Sequence, residues 1–222
     1  MLLPSLFLRD LRDLLFQLLL FEKTGADVIH NRCLEFVDYL TFKPQAVLEA
    51  GVGLLERCRS RPYWKTAHCV LFEPVQKFYE SLSEAACEFP RVQVFPHALW
   101  DHADGVEFHD LNMGISYVDG VTPRTRLGER QKRRALRRVP SMVLGEIDEG
   151  QFDLVLLDME CAEWHAIKHM VSRPKLLVVE LYKRNQAYRH PHDTEIRHWC
   201  KQNGYREVGR IVSDAVFARG RY

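Results

Sequence analysis

The chain has 222 residues, a formal net charge of +1, 46% hydrophobic and 27% charged residues. That length suits one domain with a substantial core, and the composition excludes a disordered or fibrous chain. The near-zero charge excludes a molecule that attracts polyanions as a whole. Six scattered cysteines without a C-x-x-C pair exclude a zinc-ribbon or disulfide framework and suit a reducing compartment, so a cytoplasmic location is expected.

In chain order, residues 1–44 read as a helical extension. One helix is expected at Leu6–Glu22 and another at Cys33–Leu40, before Pro44 breaks the pattern. In the first, Arg9, Asp13 and Gln17 line one face while Leu11, Leu14, Leu15, Leu18 and Leu19 populate the other. Such a face packs on its own domain, on a second copy of the chain, or over a substrate. Arg9, Asp10, Arg12 and Asp13 interrupt the apolar run, and the uncharged stretch Leu14–Phe21 is too short to span a bilayer.

From residue 45 to 222 short apolar runs alternate with amphipathic stretches. A strand at Ala46–Glu49 passes through Gly51 and Gly53 into a short helix at Leu54–Arg59. A strand at Cys69–Pro74 precedes the helical "VQKFYESLSEAACEF". A third strand covers Val92–Trp100, and Val106–Leu111 is a fourth or a hairpin partner. The run Phe152–Asp158, the helical "AEWHAIKHMV" and the strand Lys175–Leu181 follow. "YRHPHDTE" reads as a solvated turn, with a substrate loop or metal site as alternatives. Asp193 or Thr194 then caps a helix stopped by Gly204, and Asp214–Gly220 is the last strand.

This alternation predicts a mostly parallel sheet with helices on both faces, binding ligands beyond the carboxyl ends of its strands. Glu49, Glu73, Asp158 and Glu180 all lie at or near such ends, so four acids are expected on one rim. Gly51 and Gly53 let backbone approach a ligand closely. Glu73 is placed to accept hydrogen bonds from both hydroxyls of a ribose, as an acid does in dinucleotide folds. A phosphate is disfavoured, since Glu49 and Glu73 would repel it and no lysine follows the glycines. An acid-lined pocket suits a cationic ligand better.

The order "EAGVG", "LFEP", "HALWD", "LVLLDMECAEW", "LLVVEL", "NGYREV", "DAVFAR", running from about Ala46 to Arg219, resembles the FkbM-type S-adenosylmethionine-dependent methyltransferases. "LDMECAEWHAI" is its most specific part, similar to an Asp-x-Glu-Gly-Ala-Glu signature. The resemblance implies a Rossmann-like class I methyltransferase fold with S-adenosylmethionine as cofactor. It places that cofactor at Glu49, Gly51, Gly53, Glu73, Pro74, Ala98, Leu99 and Asp158, with adenine beside Ala98 and Leu99. Glu49 would sit near the cofactor's amino group or order the loop.

The implied reaction is methylation of a hydroxyl on a small or conjugated metabolite. Asp158 is the first candidate to accept the hydroxyl proton, then Glu180, then Glu160; Glu160 and Glu163 also serve to orient the loop and the following helix. Cys161 stands where the family has Gly, and Leu54-Leu55 replace a further glycine or polar residue. These departures keep open a non-catalytic binding protein that retained the fold.

His165 and His169 are spaced i, i+4 without a matching acid in "WHAIKH", so no metal site is expected. The segment Arg124–Arg138 holds eight basic residues against one acid. Arg124, Arg126, Arg133 and Arg134 are its candidates for contact with an anionic substrate or partner, and they keep open an RNA or cap-nucleotide methyltransferase. No aromatics interleave with them, which argues against single-stranded RNA.

Overall fold

Runs such as AVLEA, HCVLF, LVLL and LLVVE present no alternating polar face, so they are stable only when covered on both sides. The computed structural model describes residues 42–111, 116–120, 135–181, 190–211 and 213–220. The two helices expected before Pro44 lie outside them.

In chain order the strands are β1 (Ala46–Ala50), β2 (His68–Phe72), β3 (Val92–Phe95), β4 (Ala98–Leu99), β5 (Val106–His109), β6 (Tyr117–Val118), β7 (Leu136–Val139), β8 (Ser141–Met142), β9 (Leu154–Leu157), β10 (Leu176–Glu180), β11 (Tyr205–Ile211) and β12 (Asp214–Arg219). The helices are α1 (Gln76–Ala86), α2 (Glu163–Ile167) and α3 (Asp193–Gln202). Seven strands form the main sheet in the order β11-β12-β10-β9-β1-β2-β3. All pairs from β10 to β3 are parallel, and β12 runs antiparallel to both β10 and β11. This is a Rossmann-like plan, a mostly parallel sheet with one antiparallel strand near its edge.

Alternate residues of the central strands point to opposite faces, and both sets are buried. Leu48, Val155 and Leu177 pack with Ala166 and Ile167 of α2 and Ile196 and Cys200 of α3 in one cluster. Val47, Leu71 and Leu156 on the other face are equally shielded from water. The order of the strands reverses between β1 and β9, which places the ligand crevice of a doubly wound sheet beyond those two ends.

There the chain is drawn tight. Gly51 donates its N–H to the Phe72 carbonyl at 3.0 Å, and Asp158 donates its own to the Ala50 carbonyl at 3.0 Å. A Cβ on Gly51 would sit 1.8 Å from the Asp158 carbonyl oxygen, at a φ of +77°.

Several expected elements differ. The helix at Leu54–Arg59 is replaced by two 3-10 turns, Leu55–Arg57 and Arg61–Tyr63. The buried Glu49 carboxylate captures the N–H groups of Arg59 and Ser60 and pulls the chain back before an α-helix can propagate. The expected third strand splits at Pro96, which has no N–H to continue the ladder. Phe95 is the last residue paired with β2, and Ala98–Leu99 pairs instead with Ser141–Met142. Val106–His109 is the middle strand of an antiparallel three-stranded sheet with β6 and β7.

At α3, His192 occupies the cap position and Asp193 is the first helical residue, binding Arg197 at 2.8 Å. Gly204, at φ +78°, ends the helix as expected. β11 is an additional strand. A bulge between Glu207 and Gly209 breaks the alternation by which a strand is read.

The two loop glycines separate steric crowding from conformational preference. Gly53 has φ +65° with nothing within 4 Å of the position a Cβ would take, so Gly53→Ala is expected to cost about 1 kcal/mol. Gly51→Ala adds the clash with the Asp158 carbonyl and is expected to cost about 3 kcal/mol or more. Denaturant midpoints of the two variants check this, and equal losses would refute the tight crossing.

Candidate functional site

Beyond the carboxyl ends of β1 and β9 lies a cavity of about 280 Å³. Glu49, Gly51, Gly53, Glu73, Pro74, Ala98, Leu99, Asp158 and Glu160, each anticipated from the sequence, all line it. Glu180 is not in the wall. It stands beside the wall, where one carboxylate oxygen each from Asp158, Glu160 and Glu180 lie within 4.8 Å of one another. Three carboxylates are a donor set that a hard divalent cation accepts. The structure also sets a cation of its own, Arg59, near them. Arg124, Arg126, Arg133 and Arg134 lie outside the described residues. Of the same basic segment, Arg137 and Arg138 face Asp110 at 3.4 Å and Glu107 at 3.7 Å across the small antiparallel sheet.

The acids are held in place by backbone. Glu49 accepts from Arg59 N–H at 2.9 Å and Ser60 N–H at 2.8 Å, and so ties residues 59 and 60 to β1. Glu73 accepts from Gly53 N–H at 2.6 Å and Val75 N–H at 2.8 Å. It therefore ties the glycine loop to the end of β2. Each carboxylate oxygen has a second lone pair, so these bonds leave capacity for a ligand hydroxyl. Burial pushes Glu73 up to about 7, against the pull of those two N–H groups.

The turn after β9 is strained. Glu160 and Cys161 have φ of +50° and +82°, the second where a glycine would be relaxed. Glu163 is wholly buried and accepts the Met159 N–H at 2.7 Å and the His190 ring N–H at 2.7 Å. His190 is thus not in a solvated turn as expected; it is buried against the signature loop. His165 and His169 both bond Asp101, at 2.9 and 3.3 Å, and Lys168 joins them at 2.8 Å. The Trp100 ring stacks on His165 with centroids 3.7 Å apart. "HALWD" is thereby fastened to α2, and the i, i+4 histidines serve that contact.

Three side chains gain a role that sequence reading did not assign. Arg59 bonds Asp214 at 2.7 Å and lies 3.7 Å from Glu49. Burial alone would lower its pKa, but Asp214, Glu49, Asp158 and Glu180 outweigh that and raise it. Asp214 lines the cavity, and burial pushes it up to about 6 while Arg59 opposes and Asp158 and Glu163 add to the rise. Its Oδ1 is buried and has no hydrogen-bond partner among the described residues. The antiparallel pairing Glu180↔Asp214 brings it to the rim, a register that the acid at the start of the last strand could have suggested. His97 also lines the cavity. Its Nδ1 is buried with no hydrogen-bond partner among the described residues, and burial lowers its pKa.

No helix among the described residues is long and apolar enough to cross a membrane. No family model matches the chain, and no curated protein matches it. Among solved structures it is similar to magnesium protoporphyrin IX methyltransferase (ChlM) from Synechocystis PCC 6803 with bound SAM. That match has 12% identity and a TM-score of 0.42, covering 99% of this chain and 86% of the other. The methyltransferase domain of bacterial CtHen1-CN matches at 11% identity and a TM-score of 0.41, over 84% of this chain and 97% of its own. A Burkholderia thailandensis 1,6-didemethyltoxoflavin-N1-methyltransferase matches at 12% and 0.39, over 98% and 89%. At such TM-scores nothing about this chain's chemistry follows from them.

The raised acids give the site a pH signature. Glu73 moves from its ordinary 4.5 to about 7 on folding, so its contribution to stability is full below 4.5 and is lost as pH rises through 7. Relative to Glu73→Gln, the wild type is expected to lose stability across that window and to hold a constant difference above it. Urea midpoints at a series of pH values check this, and a difference independent of pH would overturn it.

Proposed function

We propose that this chain is an S-adenosylmethionine-dependent methyltransferase that methylates a hydroxyl of a small or conjugated metabolite. The observation that carries the reading is the convergence of Glu49, Glu73, Asp158, Glu160 and Asp214 on one cavity at the switch point of the sheet. In a partly water-excluded site these carboxylates favour a sulfonium cation and disfavour a phosphate. The FkbM-type resemblance of "LDMECAEWHAI" supports the same assignment.

The residues present fit that cofactor. Glu73 would receive its ribose hydroxyls, and the orphaned Nδ1 of His97 would receive an amino hydrogen of adenine, with Ala98 and Leu99 as an apolar wall. Arg57 and Arg59, both lining the cavity, would meet the carboxylate of its methionine part. When bound, S-adenosylmethionine supplies an electrophilic methyl group. Asp158 would orient the acceptor hydroxyl and take its proton, with Glu180 and Glu160 as the neighbouring acids. Asp158 and Glu180 lie close enough to the Arg59 guanidinium to favour its charged form, which keeps a cation beside the proposed proton acceptor.

A non-catalytic binding role is the second reading, favoured by Cys161 in its left-handed conformation at the turn where the family has glycine. Calorimetric titration with S-adenosylmethionine and S-adenosylhomocysteine separates the readings. Saturable binding is expected, weakened about 10-fold or more in Glu73→Ala through loss of a charged acceptor. Asp158→Ala is expected to keep binding within a few-fold and to lower turnover about 100-fold, in the range of a lost general base. No binding by folded wild-type protein would favour the non-catalytic role, and equal losses of binding in the two variants would show the roles wrongly divided.

A further inference from the structure

The Asp158–Met159 peptide is gripped from two sides. Its carbonyl oxygen packs against Gly51, in the space that a Cβ there would take. Its N–H is bound by Glu163 Oε1 at 2.7 Å. The orientation of this one peptide sets where the Asp158 side chain leaves the strand end. It also sets where the left-handed turn at Glu160 and Cys161 begins.

Glu163 is itself held, among the described residues, by a single side chain. Its Oε2 lies 2.7 Å from His190 Nε2, with both residues almost completely shielded from water. The other ring nitrogen, Nδ1, accepts the His192 backbone N–H at 3.0 Å. A nitrogen that accepts from an amide carries no proton, so the ring proton sits on Nε2 and is donated to Glu163. The chain of donors is therefore directional, from His192 N–H to His190, from His190 to Glu163, with Met159 N–H meeting the remaining oxygen. Neither Glu163 nor His190 lines the cavity, and both lie one step behind Asp158 and Met159, which do.

We propose that His190 is a positioning residue for the transfer site, acting through Glu163 on the Asp158–Met159 peptide. Its link to turnover rests on the methyltransferase reading; its control of the peptide does not. In His190→Ala, Glu163 loses its buried donor and is free to turn from Met159. In His190→Gln, the amide NH2 still donates to Glu163, so the conservative variant restores the grip.

The test is amide hydrogen exchange by NMR on wild type, His190→Ala and His190→Gln, with β9 amides such as Leu156 as internal controls. The Met159 amide is expected to exchange about 10- to 100-fold faster in His190→Ala, the range for a lost charged hydrogen bond, and within about threefold of wild type in His190→Gln. The β9 amides are expected to be unchanged. Unaltered Met159 protection in His190→Ala, an equal loss across β9, or failure of His190→Gln to restore it would overturn the proposal. If His190→Ala does not fold, the ring nitrogen shifts of wild type decide: a proton on Nδ1 instead of Nε2 would overturn it. Where wild type binds S-adenosylmethionine and turns over, His190→Ala is expected to lower kcat on the order of 10-fold with Kd changed less than about threefold. Absence of cofactor binding by wild type would overturn the methyltransferase reading alone, since the exchange arm needs no cofactor.

Discussion

Everything around the cavity depends on the crossing of two backbones at Gly51 and Asp158. β1 and β9 are adjacent parallel strands whose continuations diverge, and at their ends the chains meet with no room for one further carbon. That close approach is possible because Gly51 can hold φ +77° and has no side chain to keep the Asp158 carbonyl away. Shift that contact outward and Asp158, the glycine loop and the Glu160–Cys161 turn would all move with it.

Around this crossing the molecule repeats one device: a buried carboxylate that accepts two or more N–H groups. Glu49 holds residues 59 and 60 to β1, Glu73 joins the glycine loop to α1, and Glu163 joins Met159 to His190. Asp148 does the same outside the site, accepting from the backbone of Gly150, Val171 and Ser172 and from the Ser172 hydroxyl. A buried carboxylate left unpaired is costly, so each of these acids is stable only while its loop stays closed upon it. The acids that define the cavity's charge therefore also define its shape. Arg59 completes the arrangement by placing one cation among four carboxylates.

Much of the plan is legible in the sequence because it is local. The runs AVLEA, HCVLF, LVLL and LLVVE are too apolar to be anything but covered strands, and an acid at the end of such a strand in a parallel sheet has one rim to face. Glu49, Glu73 and Asp158 are legible in that way. The break at Pro96 is hidden although the residue itself is a breaker. The apolar pattern continues past it into Ala98–Leu99, and periodicity cannot reveal that the second half pairs with a different strand.

By itself the sequence determined the order of the central strands' apolar runs, the glycine loop and the row of strand-end acids, because these follow from side-chain type and spacing along the chain. Tertiary structure alone decided which groups hold those acids. Asp214 reaches the rim through an antiparallel register with Glu180, Arg59 is drawn in by a backbone capture at Glu49, and His190 is buried by an acid 27 residues earlier. Such pairings join residues that share no local pattern. Their energy comes from excluding water around a charge, and where water is excluded depends on how the whole chain closes.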